Sequence, residues 1–139
     1  MIFDTDVLIW CFGGDRDAAE AAASQLEKAV SIISVMEMLQ GAKSKDELRR
    51  IRGFFPNHEL EVIPVSESIS YMAASLVEEH TLSTGLQLAD ALIAATARER
   101  GSGLVTSNVR HFRSIPQLVI KPYNPKRQRG DVFSRGDSI

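Results

Sequence analysis

Thr84-Gly85-Leu86-Gln87-Leu88-Ala89-Asp90-Ala91-Leu92-Ile93-Ala94-Ala95-Thr96-Ala97-Arg98-Glu99-Arg100-Gly101-Ser102-Gly103-Leu104-Val105-Thr106 places a helix and a strand in immediate succession. Thr84 and Gln87 stand in capping-box spacing, which predicts a helix over 86–100. Gly101 and Gly103 end it, and Leu104–Thr106 reads as a short strand. Between Leu86 and Ala97 the only polar side chains are Gln87, Asp90 and Thr96, so this helix is apolar nearly all round and largely buried. Asp90 shares its side with Leu86, Ile93 and Ala97. An ionised carboxylate there is costly unless it meets donors, a basic partner or a cation. Arg98 is two turns further on and Arg100 further still, so neither is a local partner.

Working outward, the alternation continues in both directions. Upstream, Ser66 and Ser68 precede a long helix with Ile69, Met72, Ala73, Leu76 and Val77 on one face. Before it lie a β-rich segment over 61–65 and a helix over 45–55 that Pro56 and Asn57 should stop. Ser34 is expected to open a helix through residue 42, after a β-branched strand over 29–33. Asp15 or Asp17 can cap a helix over 18–28. Ile2 and Phe3 begin a first strand that ends near Asp4, followed by a turn into a short helix or irregular segment. Downstream, 118–120 offers one more strand. Strands alternating with helices predict an α/β fold, a parallel β-sheet sandwiched between helices in three layers.

At 139 residues the chain has room for one domain and a core that takes up about two-thirds of its unfolded surface. The reading assigns that domain to residues 1–122 and leaves 123–139, with few apolar anchors, as a mobile basic tail. With 44% apolar and 24% charged residues, global disorder is excluded. No apolar run approaches the ~18 residues of a membrane span, no secretory leader pattern opens the chain, and Cys11 has no second cysteine to pair with. A cytoplasmic protein is expected. Residues 1–109 carry 9 Lys/Arg against 16 Asp/Glu, whereas 110–139 carry 7 against 2. An acidic body with a basic end lacks the uniform footprint of a duplex-DNA binder but fits a cation site beside a phosphate-attracting surface.

Ligand crevices of open parallel sheets lie at the carboxyl ends of the strands. Asp4, Glu37 and Asn108 all fall in strand-to-helix connections on that edge, and Asp90 is the acid its own helix cannot account for. Each has a plainer role open to it. Ser34 and Glu37 have capping-box spacing, Asp4 can cap the next segment, and capping is the preferred role for Asp6. Asn108 can cap a short helix through Phe112, and Asp90 can be satisfied by backbone amides or a distant arginine. Converging carboxylates repel by about 1 kcal/mol per pair at 4 Å in water and about 4 at an effective dielectric of 20, so a cluster binds protons or a cation. An oxygen-only ligand set favours Mg²⁺ or Mn²⁺ over Zn²⁺. His58, His80 and His111 have no metal-ligand spacing, and the first two read as exposed polar residues.

Four blocks now stand out: Phe3-Asp4-Thr5-Asp6-Val7-Leu8-Ile9, Ser34-Val35-Met36-Glu37-Met38-Leu39-Gln40-Gly41, Leu88-Ala89-Asp90-Ala91-Leu92-Ile93-Ala94-Ala95-Thr96-Ala97 and Val105-Thr106-Ser107-Asn108-Val109-Arg110-His111-Phe112. In this order they resemble the PIN-domain ribonucleases, and within that group the VapC-type toxins of bacterial toxin–antitoxin pairs. The resemblance spans nearly all of 1–122. It implies a homodimer, an RNA substrate cut with bound Mg²⁺ or Mn²⁺, and a cognate antitoxin whose C-terminal segment wraps the toxin and can insert a basic side chain into the acidic pocket. By position, Asp4, Glu37 and Asp90 match the family's acidic metal-binding residues. Asn108 stands where many members carry a fourth acid, and its neutrality weakens any second metal site. Thr106 or Ser107 would bond a carboxylate or the attacking water, and Arg110, Arg113 and the stretch 126–129 are candidate phosphate contacts.

Two rivals remain open. Asp4-Thr5-Asp6 after an apolar strand has the DxD form of aspartate-nucleophile phosphatases, although Leu8 stands where those carry Thr. A PIN fold without activity, serving as a protein-interaction module, would account for Asn108.

Overall fold

The computed structural model describes residues 1–125. The elements follow in the order β1 (Ile2–Phe3), α1 (Thr5–Phe12), α2 (Arg16–Ala23), β2 (Ala29–Ser31), α3 (Ile32–Gln40), α4 (Lys45–Asn57), β3 (Glu61–Ile63), α5 (Glu67–Thr84), α6 (Leu88–Glu99), β4 (Leu104–Thr106), α7 (Val109–Phe112) and β5 (Ile120–Pro122). The strands are short and entirely parallel, in the order β3-β2-β1-β4-β5. The α/β architecture with a parallel sheet between helices is the one expected.

Alternation along the strands feeds two cores. Phe3, Val30 and Val105 join Val7, Leu8 and Trp10 of α1, Ala18 and Ala22 of α2, Met38 of α3, and Ile51, Phe54 and Phe55 of α4. Ile2, Ala29, Ile63 and Leu104 join Ile69, Ala73 and Leu76 of α5, the alanine-rich side of α6 and Phe112 of α7. Ala91, Ala94, Ala95 and Ala97 are fully enclosed, so α6 sits close against the sheet and α5. Because β1 lies between β2 and β4, the chain first builds one side of the sheet and then returns to build the other. The point where the direction of winding switches lies between β1 and β4, where α/β sheets open a ligand crevice.

Several boundaries differ from expectation, each for a local reason. α2 ends at Ala23 rather than reaching residue 28, because the Ser24 hydroxyl donates to the Ala21 carbonyl as the helix closes. β2 stops at Ser31, whose hydroxyl accepts from Ile33 N–H at 3.0 Å and caps α3. Ser34 is therefore buried inside the helix and forms no capping box with Glu37. Pro56 does not stop α4. It lies in the last, exposed turn, where losing one donor costs little, and His58 N–H to the Phe54 carbonyl at 3.1 Å completes the end. The Thr84–Gln87 capping box is also absent. Thr84 is the last residue of α5, Gly85 terminates it in the left-handed region at φ 71°, and α6 starts only at Leu88 without a side-chain cap. The final strand lies two residues later than expected, placing Pro122 on an edge strand where its missing N–H is tolerated. Tyr123, expected in the tail, is buried in the first core, and its hydroxyl donates to Asp15 Oδ2. The rest of the expected tail from 126 onward lies outside the described residues. Among the described residues no helix is long and apolar enough to cross a membrane.

Candidate active site

Asp4 leaves β1 and becomes the N-cap of α1, so its backbone is held in the sheet by Asp4 N–H to the Val105 carbonyl at 2.9 Å. Its side chain is only 4% exposed. Oδ1 accepts from Thr5 N–H at 2.8 Å and Oδ2 from the Thr106 hydroxyl at 2.7 Å. Capping accounts for one oxygen; the other faces β4. Burial pushes the Asp4 carboxyl well above its ordinary pKa, and the neighbouring Asp6 charge adds to the rise against the two donors.

Thr106 ends β4 and serves two partners. Its hydroxyl donates to Asp4 and accepts from Asn108 N–H at 2.9 Å, so it orients the turn into α7 as well as the carboxylate. The next residue, Ser107, donates its hydroxyl to Asp6 Oδ2. Asp6 Oδ1 also accepts from Val7 N–H at 2.9 Å. The capping role preferred for Asp6 falls to Asp4 instead: Asp6 lies in the first turn of α1, and its side chain links that helix to the end of β4.

Glu37 projects from α3 on the same edge. Its Oε1 accepts from the Thr5 hydroxyl at 2.6 Å, and that hydroxyl also lies 2.8 Å from the Ser34 hydroxyl. Asp90, in the first turn of α6, is half-buried. Burial raises its pKa; His111, whose Nδ1 lies 3.3 Å from Asp90 Oδ2, opposes the rise, while the charges of Glu37 and Asp6 add to it. Among the described residues no arginine holds Asp90: Arg98 donates to Gln117 and Arg100 pairs with Glu61. The structure thus gathers Asp4, Asp6, Glu37 and Asp90 with Thr5, Thr106, Ser107 and His111. Among the described residues, no three His, Cys, Asp or Glu side chains form a ready-made metal cage. The acids are instead spaced by hydroxyl groups.

Asn108 occupies the N-cap position of α7, but its side chain makes no cap bond. Arg110 and Arg113 are exposed; the stretch 126–129 lies outside the described residues. His58 and His80 are away from the site and more enclosed than expected. The His58 ring lies on Phe54, 4.5 Å between centroids, and the His80 side chain is 14% exposed. Sequence reasoning missed Thr5 and His111 as site residues and undervalued Asp6. Thr5 and Asp6 were visible as the hydroxyl and second acid beside Asp4. His111 lay in the fourth block with no sign of its partner.

Against this geometry, the family comparison is decisive: the PIN domain model matches residues 1–118. The chain belongs to the PIN-domain family. Among its relatives, ribonuclease VapC10 of Mycobacterium tuberculosis is 32% identical over 124 residues, covering 85% of this chain and 90% of the relative. Ribonuclease VapC19 of the same species is 31% identical over 122 residues, covering 84% and 95%. A toxin–antitoxin complex from Klebsiella pneumoniae contains a chain 34% identical with a TM-score of 0.73, covering 88% of this chain and 98% of that one. VapBC2 of Rickettsia felis, bound to a promoter DNA fragment, matches in fold with a TM-score of 0.72 at 24% identity, covering 89% and 100%. The chain is thus a PIN-domain protein of the VapC type. That membership removes the basis for an aspartate-nucleophile phosphatase, whose one sign was Asp4-Thr5-Asp6.

Proposed function

We propose that this PIN-domain protein is a Mg²⁺- or Mn²⁺-dependent endoribonuclease and the toxin of a toxin–antitoxin pair. The observation that carries the reading is that Asp4, Asp6, Glu37 and Asp90 come to one edge of the sheet, where burial and neighbouring acids raise the pKa of Asp4 and of Asp90. Such a group is over-supplied with negative charge, and its oxygen-only donors suit a hard divalent cation. Asp4, Asp90 and Glu37 would hold it, with Asp6 adding charge. The cation, when bound, lowers the pKa of a water and neutralises charge developing on the phosphate. The chain's own residues supply order: Thr106 and Thr5 fix the carboxylates of Asp4 and Glu37, and Ser107 fixes that of Asp6. Arg110, which is exposed, would meet an RNA phosphate. Asn108, as a neutral residue, favours one strong cation site over two.

The relatives named as ribonucleases and the complex named as toxin–antitoxin support the activity and the partner. An antitoxin segment bearing a basic side chain would neutralise the same acids and exclude the substrate. A homodimer is supported by Tyr71 and Leu82, which lie three turns apart on α5, and by Leu88 at the start of α6; all three are exposed apolar side chains.

RNA cleavage by the purified protein should require Mg²⁺ or Mn²⁺, stop with EDTA, and vanish in Asp90→Asn with folding intact. Cleavage that persisted in EDTA would overturn the metal-dependent mechanism. Failure to cut any RNA with either metal would favour the interaction-module reading, to which the neutral Asn108 also points.

A further inference from the structure

Beside the acids, a recess of about 350 Å³ is lined by Ser107, Asn108, Val109, Arg110, His111 and Asn124. Two of these side chains face both ways. Ser107 is bonded to Asp6 and His111 to Asp90, so the wall of the recess is also the wall of the acidic site. The other polar side chains are uncommitted among the described residues. Asn108 makes no cap bond, and among the described residues neither Arg110 nor Asn124 has an ion-pair or side-chain hydrogen-bond partner. Two amides and a guanidinium without a side-chain partner among the described residues therefore border a cavity large enough for a small planar group, next to the place where phosphate would be cut. An amide offers one donor and one acceptor side by side, the pattern by which Asn reads a base edge, and unpaired RNA bases expose such edges.

We infer that this recess holds the base of the unpaired nucleotide next to the cleaved phosphate, and that Asn124 and Asn108 discriminate between bases there. This rests on the ribonuclease reading. Arg110 contacts the phosphate joining that nucleotide to the next, while Asn124 arrives from the chain after β5. The sequence-specific part of recognition is thus contributed by two segments, the β4–α7 turn and the residue following Tyr123.

The test has two arms. In the first, cleavage of a randomised single-stranded RNA in Mg²⁺ or Mn²⁺ is profiled for wild type and Asn124→Leu. A base preference at one position flanking the cut should fall about tenfold in the variant, the loss expected of one two-point base contact, and Asn124→Gln should restore part of it. In the second arm, fluorescence anisotropy measures the affinity of short RNAs differing only at that position for Asp90→Asn and for Asp90→Asn/Asn124→Leu, with thermal melting to confirm folding. Base-dependent affinity lost with Asn124 supports the assignment. An unchanged preference profile, or equal affinity for all four bases in Asp90→Asn, overturns it. If wild type cuts no RNA, the nuclease reading fails by itself. In that case oligonucleotides varied at each position in turn let the binding arm decide the recess independently.

Discussion

The Thr106 hydroxyl donates to Asp4 Oδ2 at 2.7 Å and accepts from Asn108 N–H at 2.9 Å, joining the ends of two neighbouring strands to the turn that follows them. Thr106→Val keeps the shape but leaves a buried carboxylate oxygen and an N–H without their partner. The variant should lose about 1–3 kcal/mol and melt roughly 3–10 °C lower, with Thr106→Ser losing much less. Calorimetry on the three proteins checks this. Equal melting of all three would show that the bond contributes nothing.

Asp90 is a half-buried acid whose charge is disfavoured by burial and by Glu37 and Asp6. Asp90→Asn should therefore raise the melting temperature in EDTA. Adding Mg²⁺ or Mn²⁺ should raise that of wild type instead, by about 2.7 kcal/mol of stability at a hundredfold excess over Kd, and should have a much smaller effect on the variant. A shift of the same size in both proteins would place the cation elsewhere.

Both Asp4 and Asp90 have pKa values raised in the fold above the ordinary 3.8. Between the unfolded and folded values the native state binds more protons than the unfolded chain, so stability falls as pH rises through that window. Metal-free protein should need more urea to unfold at about pH 5 than at about pH 8. Mg²⁺ should narrow the gap by stabilising the ionised acids. Urea midpoints across the range, with and without the metal, measure it; a midpoint that rises steadily with pH would contradict the assignment.

Tyr123 is buried against α1 and α2, and its hydroxyl donates to Asp15, which also accepts from Ala18 N–H at 2.9 Å as the cap of α2. Burial and Asp15 hold the phenol well above its usual pKa. Tyr123→Phe removes a bond to a charged acceptor and should cost about 1.5–3 kcal/mol in denaturant unfolding. Since Asn124 is the next residue, the same change should loosen the recess and weaken RNA binding.

Leu82 is almost fully exposed on α5, on the stripe it shares with Tyr71. Leu82→Glu should convert a dimer to a monomer in sedimentation velocity without lowering the melting temperature measured at low protein concentration. A wild-type protein that sediments as a monomer would remove the dimer from the proposal.

The sheet and the edge that carries the acids were legible because each strand is a short β-branched or apolar run and each acid or amide follows one. Asp90 was legible from its own surroundings, as the one charge on an apolar helix. What local pattern misjudged was which hydroxyl does the capping. Spacing favours Ser34, with Glu37 three residues on, but the strand pairing of Ala29–Ser31 with Glu61–Ile63 leaves Ser31 at the turn and draws Ser34 inside. Thr84 failed as a cap because α5 continues to it and Gly85 then reverses the chain. The roles of His111 and Thr5 were not legible for a different reason. Their partners, Asp90 and Glu37, come from other segments, and only the packing of α7 on α6 and of α1 on α3 brings them together.

Asp4 and Thr106 are 102 positions apart. At translation speeds of about 5–20 residues per second, a ribosome that has made the first needs roughly 5–20 s more to make the second. Throughout that interval the nascent polypeptide lacks the hydroxyls of β4 and the imidazole that flanks Asp90. Its reactive centre is therefore completed only when synthesis of the domain is nearly finished.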